Sequence, residues 1–444
     1  MPLDGLRLDY ARVRELLRER LGVGAAAVGF GPDAGGPPSE TALPVTLIRP
    51  RARRAAAPPP RRILMLTGAR QVGKSTLLTE LARDVGARAL YAACDGAEAA
   101  TPGYWERLWA RAEELSQEHG SSVLLLDEVS QVGNWAERLK AEWDRARRRR
   151  LEVRVVATAS SALRIGSNAR KLLGPRAEWL ELGQWSARGL VEAFGVSLEE
   201  AVDSVVRLGA YPGTVGMRHD YARWCAYVRD GVIEPALGEI MALGVVRRPA
   251  LLRQLFALCV ASPAEVVALQ KLRAQLQEPA ALGTVAQYLR LLEEAYLVVA
   301  LDKYAPRGGR RRAAPPKIVV LSNALLGATD PRGFPTRADD PDRRRAWIAN
   351  ACLAHAWGSG QRVTYWREEP FEVDAVIEGS WGKLVVAVRP GSYDATSLRG
   401  LREFSRRFPR YIAKVLCDQG EQHVAERAGL EALPWRQFVG LEGS

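Results

Sequence analysis

The chain has 444 residues, 47% apolar and 26% charged, with a formal net charge of +12 and a pI near 9.7. That is length for two to four domains and the composition of an ordinary globular protein, with no apolar run long enough to span a bilayer. Cys94, Cys225, Cys259, Cys352 and Cys417 are few and scattered, as are His119, His219, His355 and His423, so neither a disulfide framework nor a zinc site is suggested. The positive balance makes DNA the first partner to consider. Arginine and alanine are abundant and lysine scarce, so GC-rich codon usage accounts for the charge equally well.

The first segment places Leu6, Tyr10, Val13, Leu17 and Leu21 at helical spacing, which predicts an amphipathic helix packed on a core. It carries acidic residues and no apolar signal region, so a cytoplasmic protein is expected. Gly22 to about Pro60 is rich in Gly, Ala and Pro, with Arg49, Arg51, Arg53 and Arg54 near its end, and reads as linker.

The apolar run Ile63-Leu64-Met65-Leu66 leads into Gly68-Ala69-Arg70-Gln71-Val72-Gly73-Lys74-Ser75-Thr76, and helix-forming leucines follow. This is the strand, G-x-x-x-x-G-K-[ST] loop and helix of a nucleoside-triphosphate site. Its glycines let backbone N–H groups face phosphate, and the helix N-terminus adds its positive end. Residues Gly68 to Thr76 are therefore the expected ATP-binding segment. Lys74 is expected on the β- and γ-phosphates and Ser75 on Mg²⁺.

Alternating strands and helices then predict a parallel α/β domain from Arg61 to about Phe194, with strands at Ile63–Leu66, Ala89–Ala92, Val123–Leu126, Val153–Thr158 and Trp179–Leu182. The third strand ends in Asp127-Glu128, about fifty residues past the loop, where a second half of the site belongs. Asp127 is expected to hold Mg²⁺, and Glu128 to orient or deprotonate the attacking water. The fourth strand ends in Thr158-Ala159-Ser160-Ser161; Ser160 is the expected polar contact between the acidic pair and the γ-phosphate, a turn residue being the alternative. Arg176 is the candidate finger reaching a neighbouring subunit's nucleotide in a homo-oligomer, against a solvated surface charge. The basic block Arg145–Arg150 reads as cations at a helix C-terminus, with nucleic-acid binding the sharper alternative.

From Gly195 the sequence is mainly helical. Val267–Leu272, a break at Pro279 to Gly283, then Thr284–Leu292, strand-like Leu297–Leu301 and the arginines Arg307 and Arg310–Arg312 follow the layout of a winged-helix module. Such modules contact DNA or serve only as packing units. A second α/β unit follows, with strands expected at Lys317–Leu321, Val363–Trp366, Glu372–Ile377, Leu384–Val388 and Ala413–Leu416, and a helix from Arg343 to Trp357.

Taken together the chain resembles the prokaryotic AAA-type (AAA+ superfamily) ATPases that carry a C-terminal domain of unknown function with a PD-(D/E)xK nuclease-like fold. The resemblance rests on GARQVGKST at Gly68–Thr76, LLLDEV at Leu124–Val129, TASS at Thr158–Ser161, LGAYP at Leu208–Pro212, TVAQYLRLLEEAYLV at Thr284–Val298, PPKIVVLSNALL at Pro315–Leu326 and YWREEPFEVDAVI at Tyr365–Ile377. It covers residues 61 to 420. It implies a P-loop AAA+-like core at 61–194, a helical and winged-helix-like connector at 195–311, and a nuclease-like α/β domain at 312–444, preceded by the helix and linker of 1–60. The departures concern the nuclease site, which needs carboxylates to grip a hard cation. Asp374 stands where the first carboxylate belongs, aided at most by Glu372. Ala387 stands for the Glu of Glu-x-Lys, Arg389 for its Lys, and Trp347–Asn350 offers no further Glu. Ser130 and Ala159 depart from the family's usual Gln and Gly. The expected function is Mg²⁺-dependent ATP hydrolysis switching the later domains on DNA or a partner protein, without nuclease activity. An ATP-gated nuclease, and a scaffold with structural ATP, are the alternatives.

Overall fold

The computed structural model describes residues 6–23, 62–160, 162–306, 314–330, 332–335 and 340–441. The arginines of the linker (Arg49–Arg54), Ser161 and the arginines of the wing (Arg307, Arg310–Arg312) lie outside the described residues.

The first layer is a parallel sheet. Its strands are β1 (Leu6–Leu8), β2 (Ile63–Gly68), β3 (Ala89–Ala93), β4 (Ser122–Asp127), β5 (Val153–Ala159) and β6 (Ala177–Leu182), in the order β1-β6-β2-β5-β4-β3. Helices α1 (Tyr10–Leu21), α2 (Lys74–Val85), α3 (Tyr104–His119), α4 (Trp135–Arg148) and α5 (Ala162–Leu173) complete it. All six residues of β2 and of β4 are buried, because separate apolar clusters cover the two faces of the sheet. That is why these strands read as unbroken apolar runs rather than alternating ones. The order puts β5 between the loop strand β2 and the acidic strand β4, so the polar end of β5 faces both.

The N-terminal segment departs from expectation. Leu6 is not on the helix: Leu6–Leu8 pairs in parallel with Leu180–Leu182 and extends the sheet, and Asp9 then caps α1 by accepting from the backbone N–H of Arg12. The cap starts the helix at Tyr10, and Tyr10, Val13, Leu17 and Leu21 form its buried face. The segment before the linker is thus built into the P-loop sheet. The basic block ends α4, and Arg145 and Arg149 both pair with Glu113 of α3.

Next come α6 (Ala187–Phe194), α7 (Leu198–Arg207), α8 (Tyr221–Val228), α9 (Glu234–Ala242) and α10 (Pro249–Ala261); a π-helical turn, Arg229–Ile233, joins α8 and α9 into one continuous run. β7 (Glu265–Val266), α11 (Leu269–Ala274), α12 (Leu282–Glu294), β8 (Val298–Leu301) and β9 (Lys317–Val320) follow, with a small antiparallel sheet in the order β7-β9-β8. Lys317–Leu321, expected to open the C-terminal unit, supplies instead the central strand of this sheet. β8 and β7 flank it, and the backbone N–H and C=O of Val320 bond to the Asn350 side chain. The boundary expected at 311/312 lies outside the described residues, in the stretch of chain between β8 and β9.

The C-terminal layer contains α13 (Asn323–Thr329), α14 (Pro341–Gly358), β10 (Arg362–Glu368), β11 (Phe371–Gly379), β12 (Gly382–Arg389), α15 (Arg399–Arg407), β13 (Ile412–Cys417), α16 (Gln422–Arg427), β14 (Glu431–Pro434) and α17 (Trp435–Val439). The sheet runs β10-β11-β12-β13-β14, antiparallel across the first three strands and parallel thereafter. α14 is buried from Trp347 to Ala356, as a helix enclosed on all sides must be.

Candidate nucleotide site

The loop between β2 and α2 is shaped by two glycines. A Cβ at Gly68 would lie 2.5 Å from the Leu182 carbonyl oxygen, so β6 can approach only a glycine there. Gly73 has φ 97°, which side-chain-bearing residues rarely adopt, and it turns the chain into α2. Neighbouring elements hold the loop. The Trp185 indole N–H donates to Val72 O at 2.8 Å, and the Tyr227 hydroxyl donates to Gln71 Oε1 at 2.9 Å.

Lys74 is 5% exposed, and its ammonium donates to Gly68 O at 3.1 Å and Ala69 O at 2.9 Å. It lies 3.9 Å from Glu128 Oε1. Burial pulls its pKa down, opposed by the charges of Glu128 and Asp127. Phosphate oxygens would supply further anionic partners to this cation.

Across the cavity Asp127 is buried and oriented from both sides. Oδ1 accepts from the Thr158 hydroxyl at 2.6 Å, and Oδ2 from the Tyr91 hydroxyl at 2.9 Å. Glu128 is left-handed at φ 51°, a strain of about 1–3 kcal/mol for a non-glycine residue. Its backbone N–H donates to Thr158 Oγ1, and its carboxylate accepts from the Ser160 backbone N–H, both at 2.9 Å. The Ser160 hydroxyl donates to Glu239 Oε1 at 3.0 Å, and Glu239 also pairs with the Arg70 guanidinium.

The polar cavity so formed, about 250 Å³, is lined by Arg70, Gln71, Gly73, Lys74, Ser75, Thr76, Asp127, Glu128 and Ser160 among others. Most of the residues singled out in the sequence therefore converge. Gly68, Ala69 and Val72 contribute backbone behind that lining. Arg176 does not converge. It precedes β6, whose first residue aligns with Ile63 at the far end of β2, and it pairs with Asp144 at 2.7 Å. Sequence reasoning missed Tyr91, Thr158 and Glu239. Thr158 had a signal, since it is a polar residue at the end of β5, two positions before Ser160. Glu239 had none, because α9 comes from outside the sheet.

The donor set fits Mg²⁺. Ser75 is exposed at the first turn of α2 and Asp127 faces it across the cavity, and Mg²⁺ commonly takes one or two protein oxygens with phosphates and waters. Among the described residues no group of three or more His, Cys, Asp or Glu forms a metal cage elsewhere. A second, apolar cavity of about 500 Å³ shares Gln71, Gly73 and Thr76 with the first. It is lined by Tyr10, Trp185, Phe194, Pro212 and Tyr227, with Tyr10 stacked on Trp185 at 4.8 Å.

In the C-terminal sheet Asp374 is held by cations. Its carboxylate accepts from Lys317 at 3.3 Å, from Arg389 at 2.7 Å and from the backbone N–H of Val388 at 2.9 Å. Burial raises its pKa, and Lys317, Arg389 and these bonds overcome that, leaving it well below the usual carboxylate range.

A parallel sheet with a phosphate loop, an acidic pair and a polar strand end between them has the make-up of a P-loop nucleotide-binding core. Residues 60–191 match the family model described as an AAA domain, and residues 199–335 match a domain of unknown function, DUF8612. The second match ends past β9, in accord with that strand's place in the middle sheet. No curated protein matches the sequence. Among solved structures, Aeropyrum pernix ORC2 is similar at 14% identity over 61% of this chain and 87% of that one, with a TM-score of 0.37. Thermotoga maritima RuvB is similar at 17% identity over 56% and 83%, with a TM-score of 0.29. A structure described as the basis for katanin self-assembly is similar at 14% identity over 36% and 47%, with a TM-score of 0.23; the chain spans less than half of that protein's length. No helix of the described residues is long and apolar enough to cross a membrane.

Proposed function

We propose that the chain binds ATP with Mg²⁺ and hydrolyses it, and that turnover shifts the helical connector against the P-loop sheet. The observation that carries this is Lys74, buried and fixed at the loop mouth 3.9 Å from a Glu128 carboxylate that is itself oriented by Ser160. Lys74 and the loop N–H groups bind the phosphates. Ser75 and Asp127 would hold Mg²⁺, which would supply positive charge to the phosphates. Glu128 aligns the attacking water and accepts its proton. The apolar cavity beside Tyr10 and Trp185 has the size and lining for the base. Lys74→Ala is expected to abolish nucleotide binding, and Glu128→Gln to retain binding while turnover falls at least about a hundredfold. Unchanged turnover in the first variant overturns the assignment.

We read β7 to β9 with α10 to α12 as a winged helix and the last sheet, flanked by α14 and α15, as nuclease-like but inactive. The supports are the helix–strand–helix–helix–strand–strand order and the occupation of Asp374 by Lys317 and Arg389. DNA or a partner protein is the target. Within the winged helix, α12 packs against α5 and α9, which favours a packing role for it. Arg176 is 31% exposed, and action in trans in a homo-oligomer requires its pair with Asp144 to open. ATP turnover measured with and without DNA, with particle mass recorded, tests target and assembly together. Stimulation by DNA that vanishes at high salt would identify phosphate contacts.

A further inference from the structure

Glu239 is an acidic residue set directly behind two donors of a site built for anions. It lies on α9, outside the P-loop sheet, yet it is only 9% exposed. Its Oε1 accepts from the Ser160 hydroxyl at 3.0 Å and pairs with Arg70 of the phosphate loop. These two donors border the same cavity as Lys74 and Glu128. A nucleoside diphosphate needs the loop N–H groups and Lys74 but reaches less far toward Ser160. A triphosphate places a further anion beside Ser160 and Arg70, where it meets the Glu239 carboxylate and competes for the same donors.

Resting on the reading of this loop as an ATP site, we propose that Glu239 sets the discrimination between triphosphate and diphosphate. Its carboxylate holds the two donors that a γ-phosphate recruits, and losing them releases α9. The same helical run carries Tyr227, bonded to Gln71, and the π-helical turn Arg229–Ile233 lies between these two anchors. Releasing one anchor while keeping the other would pivot α9, and with it the connector, in response to the γ-phosphate alone.

The test compares binding of ADP and of a slowly hydrolysed ATP analogue, with Mg²⁺, to the full chain and to Glu239→Gln. The amide keeps the shape and removes the charge. Analogue affinity is expected to rise about tenfold with ADP affinity unchanged, a coupling of ordinary allosteric size. Glu239→Met, similar in length but without charge or oxygen acceptor, is expected to show the same selective gain and stands in if the amide does not fold. Hydrogen exchange of Glu234–Ala242 in the wild-type chain is expected to quicken with the analogue and not with ADP. Equal change for both nucleotides, no change, or weakened analogue binding overturns the role of Glu239. A wild-type chain that binds neither nucleotide overturns the ATP reading and this proposal together. A wild-type chain that binds both without selective gain in either variant overturns this proposal alone.

Discussion

Thr158 shows how much of the site depends on side chains that do not themselves line its cavity. Its hydroxyl donates to Asp127 and accepts from the Glu128 backbone, so one methyl-bearing alcohol sets the direction of both acidic residues. Asp127 stays turned toward the cavity only while its oxygens have such partners, the other being Tyr91. Removing a supporting hydrogen bond behind a metal ligand weakens metal affinity by about 10–100-fold. Thr158→Ala is therefore expected to raise the Mg²⁺ concentration needed for half-maximal turnover by that factor while nucleotide binding without metal is little changed. A magnesium titration of steady-state turnover measures it. Ser160→Ala differs, because it loses the bond to Glu239 and keeps the backbone N–H on Glu128.

At the scale of elements, α14 is enclosed by the sheets and by α17. On it His355 packs 5.5 Å from Trp381 and 6.0 Å from Phe438, with Nε2 lacking a hydrogen-bond partner. Burial alone lowers its pKa to about 4 from 6.5. The folded chain thus keeps His355 neutral over a range where the unfolded chain protonates it. Stability from this residue is unaffected above pH 6.5 and falls as pH drops from there toward 4, by about 2.5 kcal/mol at pH 4.5. His355→Leu is expected to remove that share of the decline, seen as a smaller loss of unfolding free energy between pH 7 and pH 4.5 in urea titrations. Beyond α14, the connection between sheets is made by strands. Tyr365 of β10 exchanges backbone hydrogen bonds with Asp302 and Tyr304, just past the end of β8. This tie was invisible in the sequence, where residues 302 and 365 belong to separate units.

Across the whole molecule the three layers are stitched rather than strung. One apolar cluster runs from α1 and α2 through the connector to α14 and α17. Arg7 of the first strand stacks on Trp357 and pairs with Glu181. Asn323 and Asn350 bond to each other and to the backbones of Val206, Val320 and Trp347. Lys317, 1% exposed, reaches from the middle sheet to Asp374 in the last. Asp374, with its pKa depressed, contributes stability above the ordinary carboxylate range and loses it as pH falls below that range. Asp374→Ala leaves Arg389 without its anion and buried Lys317 with only the exposed Glu372 at 3.8 Å, and is expected to cost about 3–5 kcal/mol, measured by denaturant unfolding. The wild-type chain is expected to cleave no DNA form with Mg²⁺ or Mn²⁺; cleavage abolished by Asp374→Ala would reverse that reading.

The phosphate loop, the acidic pair and five strands of the parallel sheet were legible in the sequence because each is written locally. A glycine-rich loop needs its glycines in one short stretch, and a strand buried on both faces must be apolar throughout. Only the tertiary structure decided which distant segments complete these parts. Leu6–Leu8 became an edge strand because β6 offered an open edge and Asp9 capped the helix one residue later. Lys317–Val320 joined the middle sheet because β7 and β8 took up its hydrogen bonds. Glu239 entered the site because helix packing brought α9 across the loop. Such partners meet through burial and pairing between elements far apart in the chain, and neither leaves a pattern at short spacing.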